Sequence, residues 1–145
     1  MTKEQFSQYS FLLDRTARRV KQYAQQKFKN GDFDVTVDQW LILKRLADHE
    51  SLSQTELAGL VFKDQPTLTR IIDILCKKGY TERRPNPADR RSFQILLTKE
   101  GQEKVEELKP KISVIREKAW EKLNEKDFEE FKRILNTIYT NLEQF

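Results

Sequence analysis

Cysteine and histidine are almost missing from this sequence: each occurs once, as Cys76 and His49. A single thiol cannot close an intrachain disulfide, so a disulfide-stapled secreted scaffold is excluded and a reducing cytoplasm is the expected setting. The same two residues cannot build a multi-ligand Cys/His metal cage within one chain, so no metal is expected, although carboxylate-rich sets stay open. Glycine is scarce too, with four residues and none in a G-x-G or Walker spacing, which removes glycine-rich phosphate loops and the cofactors they hold. No run approaches the roughly 20 apolar residues that span a bilayer. The opening stretch MTKEQFSQYS lacks an apolar signal core, so neither export nor a membrane partner is expected.

What remains is a chain of 145 residues, 37% hydrophobic and 34% charged. That is the size of one domain and too apolar and aromatic for a disordered polymer. The net charge of +4 is unevenly spread: residues 63–91 hold eight basic against four acidic residues, which equals the whole excess. A basic patch of this kind is an electrostatic footprint for a polyanion, because each neutralised phosphate releases condensed counterions. The competing reading is a solvated charged face, and the pattern along the chain decides between them.

Apolar residues at Phe6, Tyr9, Leu13, Ala17, Val20, Ala24 and Phe28 mark one face of a long first helix that ends near Asn30 and Gly31. Thr36 and Gln39 form a capping box ahead of a second helix, about 37 to 48, and Ser53 with Glu56 forms another ahead of a short third. Asp64 caps a fourth helix with Pro66 in its first turn, and Lys77, Lys78 and Gly79 end it. Leu68, Ile71, Ile72, Leu75 and Cys76 share that helix's apolar face. The segment YTERRPNPADRRSFQILLT then reads as a hairpin whose returning arm alternates Phe93, Ile95 and Leu97 with Gln94 and Leu96, period two apart from Leu96, and Ser51-Leu52 supplies a candidate third strand. A fifth helix after Thr98 carries Val105, Leu108, Ile112, Ile115 and Ala119 and should kink at Pro110. Asn124 and Asp127 open a sixth. The expected fold is mainly α with a small β-hairpin wing.

Helices two to four with the trailing hairpin make a winged helix-turn-helix, expected over 35–98, with helices at 1–30 and 99–145 outside it. On the fourth helix Gln65, Thr67, Thr69, Arg70 and Lys77 lie off the apolar face, with the donor and acceptor chemistry for base edges and phosphates. Ser53, Gln54 and Thr55 at the start of the third helix, and Arg83, Arg84, Asp89, Arg90 and Arg91 on the hairpin, complete the candidate contact set. A narrow minor groove concentrates negative potential and attracts arginines held on a rigid hairpin.

The run DQPTLTRIIDILCKKGYTERRPNPADRRSFQILLTKEG, residues 64–101, resembles the recognition-helix and wing signature of the MarR family, the multiple antibiotic resistance regulators. Its marks are the T-x-T-R core from Thr67 to Arg70, the K-K-G helix end, the D-R-R wing tip and the L-T-x-x-G that opens the next helix. The resemblance implies a sequence-specific double-stranded DNA-binding regulator, a repressor of palindromic operators, in which Arg91 enters the minor groove and Asp89 orients it. It also implies a homodimer. The sequence has its own reason for one, since the outer helices carry more apolar positions than a winged-helix core needs. Phe6, Tyr9, Leu13, Ile112, Ile115, Leu135, Ile138 and Leu142 are the candidates for the dimer layer.

In similar regulators small aromatic acids or phenols bind between the dimer layer and the DNA-binding lobe, where Phe11, Arg15 and Trp40 are available here, and no assignment follows from the sequence. Thiol-based peroxide sensing resembles a first-helix cysteine, which this chain lacks, so Cys76 is expected to be a buried core thiol. His49 reads as a surface residue. Catalysis is not expected, because one histidine and one apolar-face cysteine leave few nucleophile and base combinations. Carboxylate pairs such as Glu106/Glu107 and Glu129/Glu130 fall among lysines, as solvated surface does. A protein-interaction winged helix and a non-specific DNA-architectural protein are the alternative readings.

Overall fold

Short polar side chains set most helix boundaries in the computed structural model, which describes residues 1–143. Thr2 with Gln5 opens α1 (Lys3–Asn30) and Thr36 with Gln39 opens α2 (Val37–Ala47), each by a reciprocal capping box. After β1 (Leu52–Ser53), Ser53 and Glu56 do the same for α3 (Gln54–Val61). Asp64 accepts from the Thr67 N–H at 2.8 Å to start α4 (Gln65–Lys77), with Pro66 in the first turn. β2 (Thr81–Asn86) and β3 (Asp89–Leu97) form the hairpin, followed by α5 (Lys99–Glu117), a 3-10 turn (Lys118–Trp120) and α6 (Glu125–Asn141), capped by Asn124 and Asp127. The expected fold class holds. The third strand sits one residue later than the sequence suggested and pairs Leu52 with Ile95 and Ser53 with Gln94, giving an antiparallel sheet in the order β1-β3-β2.

The chain divides into two units, Met1–Ile115 and the segment from Arg116 onward. In the first, Leu43, Leu57, Leu68, Ile72, Leu75 and Ile95 are wholly buried, and each such side chain contributes about 1.5–3 kcal/mol of transfer free energy. Ala24 and Phe28 bring the C-terminal half of α1 into this core, and Val105, Leu108 and Ile112 bring in α5. Ile112, expected in a dimer layer, is only 4% exposed, and Ile115 packs at the core edge, so that face of α5 is used within its own chain. Phe6, Tyr9 and Leu13 on α1 remain exposed, joined by Phe11. Phe93 is 45% exposed rather than core, because the hairpin reaches beyond the sheet's covered part. Cys76 is half-buried, not sealed: its Sγ lies 3.2 Å from Thr81 Oγ1. α5 continues through Pro110 and ends before Ala119, which is exposed in the 3-10 turn.

The junction between α4, β3 and α5 is close. Gly79 adopts φ +82°, open to glycine at little cost, and ends α4. Thr98 Oγ1 donates to the Gly79 carbonyl at 2.5 Å and accepts from the Gly101 N–H at 3.0 Å, capping α5. A Cβ on Gly101 would lie 2.0 Å from the Tyr80 carbonyl oxygen, so only glycine fits.

In the second unit Trp120 packs edge-on against Phe128 and Phe131, with ring centroids 5.8 and 5.0 Å away. α6 leaves Ile138 and Leu142 exposed and Leu135 half-buried, together with exposed Phe131, Ile134 and Tyr139. The last two positions of the expected 99–145 helical segment lie outside the described residues.

Candidate nucleic-acid interface

α4 is amphipathic in the way its sequence requires: Leu68, Ile72 and Leu75 are buried, while Gln65, Arg70, Asp73 and Lys77 are exposed and Thr67 and Thr69 half-exposed. The side chains at its N-terminal end are already ordered by one another. Thr67 Oγ1 donates to Asp64 Oδ2 at 3.0 Å and accepts from an Arg70 Nη2 at 3.5 Å. The Thr67 backbone N–H, and then its hydroxyl, hold the Asp64 carboxyl below the usual carboxylate range. From α3, the Gln54 amide reaches both Gln65 and Thr69. The structure therefore brings together Gln54, Gln65 and Thr69, and separately Thr67 and Arg70. Ser53 is spent on the α3 cap, and Thr55 stands exposed beside it. Lys77 sits in the last turn of α4, about 18 Å along the axis from Gln65.

The wing's arginines divide by partner. Arg83 donates to Asp73 Oδ1 at 2.6 Å and comes within 4.0 Å of Cys76 Sγ, so its charge is turned toward α4 and neutralised there. Arg84 is paired with Glu82 at 2.6 Å. Arg90 and Arg91 are exposed at the tip. Ladder pairing passes from Pro85 opposite Phe93 to Asn86 opposite Asp89, so Arg90, Arg91 and Ser92 form a bulge that pushes both arginines out of the regular strand. Asp89 Oδ1 accepts from the backbone N–H of Arg91 at 2.9 Å, so the aspartate shapes the main chain at Arg91. Asn86, bracketed by the two prolines of the hairpin, accepts from the Ala88 N–H at 3.0 Å and donates to Ser92 Oγ at 3.1 Å, a side-chain turn that Asn favours.

Two charged clusters behind this surface were also missed, because their partners lie far apart in sequence. Asp38 in α2 receives Lys21 of α1 at 3.1 Å and Lys63 of the α3–α4 turn at 3.3 Å. Burial pushes its carboxyl up, but the two ammoniums win and hold it below the ordinary range. Asp34 accepts from the Tyr80 hydroxyl at 2.6 Å and from Lys78, which tie the α1–α2 loop to the end of α4. The Tyr80 bond, aided by Lys78, holds Asp34 down. Burial, then Asp34 itself, pushes the Tyr80 phenol up to about 12. His49 is exposed, with Nδ1 2.8 Å from the Arg45 carbonyl oxygen. Trp40 is buried in the core, whereas Phe11 and Arg15 are exposed on α1. Among the described residues no group of three or more His, Cys, Asp or Glu side chains is arranged to hold a metal ion, and no helix is long and apolar enough to cross a membrane.

A buried helix-turn-helix core, an exposed polar face on its second helix and two unpaired arginines on an adjacent hairpin suit a duplex groove. The chain is also similar to known proteins. The MarR family model matches residues 35–93. Over 116 residues the chain is 31% identical to the HTH-type transcriptional regulator SarZ of Staphylococcus haemolyticus, a match spanning 79% of this chain and 74% of that protein. Among solved structures, the Staphylococcus aureus MepR-DNA complex is similar with a TM-score of 0.82 and 27% identity, covering 92% of this chain and 98% of that one. Bordetella bronchiseptica BpsR, solved in a study of how 6-hydroxynicotinic acid regulates its DNA binding, is similar with a TM-score of 0.82 and 26% identity, covering 91% and 98%. The chain belongs to the MarR family of winged helix-turn-helix transcriptional regulators, which bind DNA.

Proposed function

We propose that the protein is a homodimeric, cytoplasmic repressor that binds a palindromic operator and is released from it by a small aromatic ligand. In each protomer α4 lies in the major groove, where Gln65, Thr67, Thr69 and Arg70 meet base edges and phosphates. The start of α3, at exposed Thr55 beside the Ser53 cap, meets the backbone, and Arg90 and Arg91 of the wing enter the flanking minor groove. The single observation that carries this reading is the division of the wing's charge. Arg83 and Arg84 are neutralised within the chain, while Arg90 and Arg91 stand exposed on a bulged tip.

The apolar side chains left exposed on α1 (Phe6, Tyr9, Leu13) and on α6 (Ile138, Leu142) support a dimer, because each of these faces lacks cover within its own unit. A twofold axis then sets two α4 helices about 34 Å apart, one duplex turn. The aromatic ligand is supported by the likeness to BpsR.

Selection from a random duplex pool tests the reading. An inverted repeat with half-sites about one turn apart, bound about a thousandfold or more over scrambled duplex, is expected. Binding indifferent to sequence would mean an architectural protein, and no binding to duplex would mean a winged helix that meets an acidic protein partner. Addition of aromatic acids such as hydroxybenzoates should then weaken the operator complex.

A further inference from the structure

The first residues of α3 and α4 are both glutamines, and they touch. Gln54 Nε2 donates to Gln65 Oε1 at 3.2 Å and to Thr69 Oγ1 at 2.6 Å. An amide nitrogen has two hydrogens, so both are used on α4. Thr69 lies one turn after Gln65, on the same side of the helix. One half-buried side chain thus spans the helix-turn-helix angle and grips two exposed or half-exposed groups of the second helix.

A free glutamine amide on a surface turns about its last bond and offers oxygen and nitrogen in either order. Gln65 is not free in this sense. Its Oε1 is held on the α3 side by the Gln54 donor, which leaves Nε2 on the opposite edge and one oxygen lone pair unused. That edge carries one acceptor site beside N–H donors in a set order, the pattern that pairs bidentately with adenine N6 and N7 in the major groove. Neighbouring Thr67 differs, since its hydroxyl is taken by Asp64 and Arg70. Gln65 is thus a side chain of this helix end whose polar group is both oriented by a partner and still open to a ligand.

We propose that Gln54 is a positioning residue for sequence readout: by holding the Gln65 amide in one orientation it makes α4 read an adenine, in one strand sense, in each operator half-site. This inference rests on the operator-binding reading above and adds the base read and the residue that sets it.

The test takes the operator recovered from random duplexes, substitutes each base pair of a half-site in turn, and measures binding by fluorescence anisotropy. The proteins are the wild-type chain and its Gln65→Leu, Gln54→Met, Gln54→Ala and doubly substituted Gln54→Met/Gln65→Leu variants, with melting curves checking that each is folded. For the wild type, one A·T pair is expected whose replacement weakens binding about tenfold or more, in line with a good bidentate contact. Gln65→Leu should erase the preference at that pair and no other. Gln54→Met, which keeps the side chain's length without its amide, should erase it at the same pair, as should Gln54→Ala, and the double variant should lose no more than either single one. A Gln54 that only supports the fold would instead weaken binding to every duplex alike, which would overturn the proposal. So would Gln54→Met and Gln54→Ala variants that keep the full preference, or a Gln65-dependent pair that is not A·T. A wild-type chain that selects no sequence at all would sink the repressor reading itself, whereas a selected operator with Gln54-independent preferences would sink this inference alone.

Discussion

The guanidinium of Arg83 lies 2.6 Å from the carboxylate of Asp73, and this pair joins the first strand of the wing to the outer face of α4. Its charge is therefore not available to a phosphate in the way that the tip arginines are. Arg91→Ala is expected to weaken operator binding and to flatten the plot of log affinity against log salt by about one unit per lost phosphate contact. Arg83→Ala should leave that slope nearly unchanged. Equal slopes for Arg91→Ala and the wild type would remove Arg91 from the interface.

Tyr80 and Asp34 form a pH-dependent tether. Asp34 titrates below its ordinary value in the folded chain, so its contribution is present above an unfolded value of about 3.9 and is lost as pH falls through the lower folded one. Tyr80 titrates above its ordinary value, at about 12, so its contribution is present below about 10 and is lost as pH rises through about 12. Tyr80→Phe is expected to cost about 1 kcal/mol at neutral pH, reduced from the full value of a charged hydrogen bond because Asp34 is exposed. Urea midpoints at pH 7 and pH 3 should show that difference shrinking in acid.

Gly101→Ala puts a methyl against the Tyr80 carbonyl oxygen, a backbone atom that cannot rotate away. The expected loss is about 2–3 kcal/mol, from overpacking and displacement of the α5 cap. A urea midpoint unchanged from wild type would mean that α5 and the Tyr80 segment between α4 and β2 separate at no cost.

Phe62 closes α3 with φ 55° and ψ 42°, a left-handed conformation that a bulky residue adopts at a cost, and the residue is 77% exposed. Phe62→Gly should raise stability by up to about 1 kcal/mol, since little packing is lost and the backbone strain is relieved. A clear drop in melting temperature would show that the ring has a partner.

The exposed apolar side chains of α1 predict the assembly. The wild-type chain is expected to sediment as a dimer at micromolar concentration, and Phe6→Lys with Leu13→Lys as a monomer that keeps its helical circular dichroism. A monomeric wild type would overturn the dimer.

The helix starts at Thr36, Ser53 and Asp64, the stop at Gly79 and the hairpin between two prolines were legible because each depends on residues within about four positions of one another. Local chemistry of that kind does not need the rest of the chain. The family signature in residues 64–101 was legible for the same reason, as it lies in one continuous segment. Ile112 and Ile115 were misjudged since periodicity reports which face of a helix is apolar, not what covers it. On α5 that cover is the chain's own core.

The sequence by itself determined the order of elements, the winged helix-turn-helix and the basic segment from 63 to 91, because caps, turns and apolar spacing act over a few residues. Only the tertiary structure decided which charges remain open. Arg83 meets Asp73, Asp34 meets Tyr80 and Gln54 meets Gln65 across separations of 10, 46 and 11 residues, and such pairings exist only once packing has brought distant segments within hydrogen-bond reach.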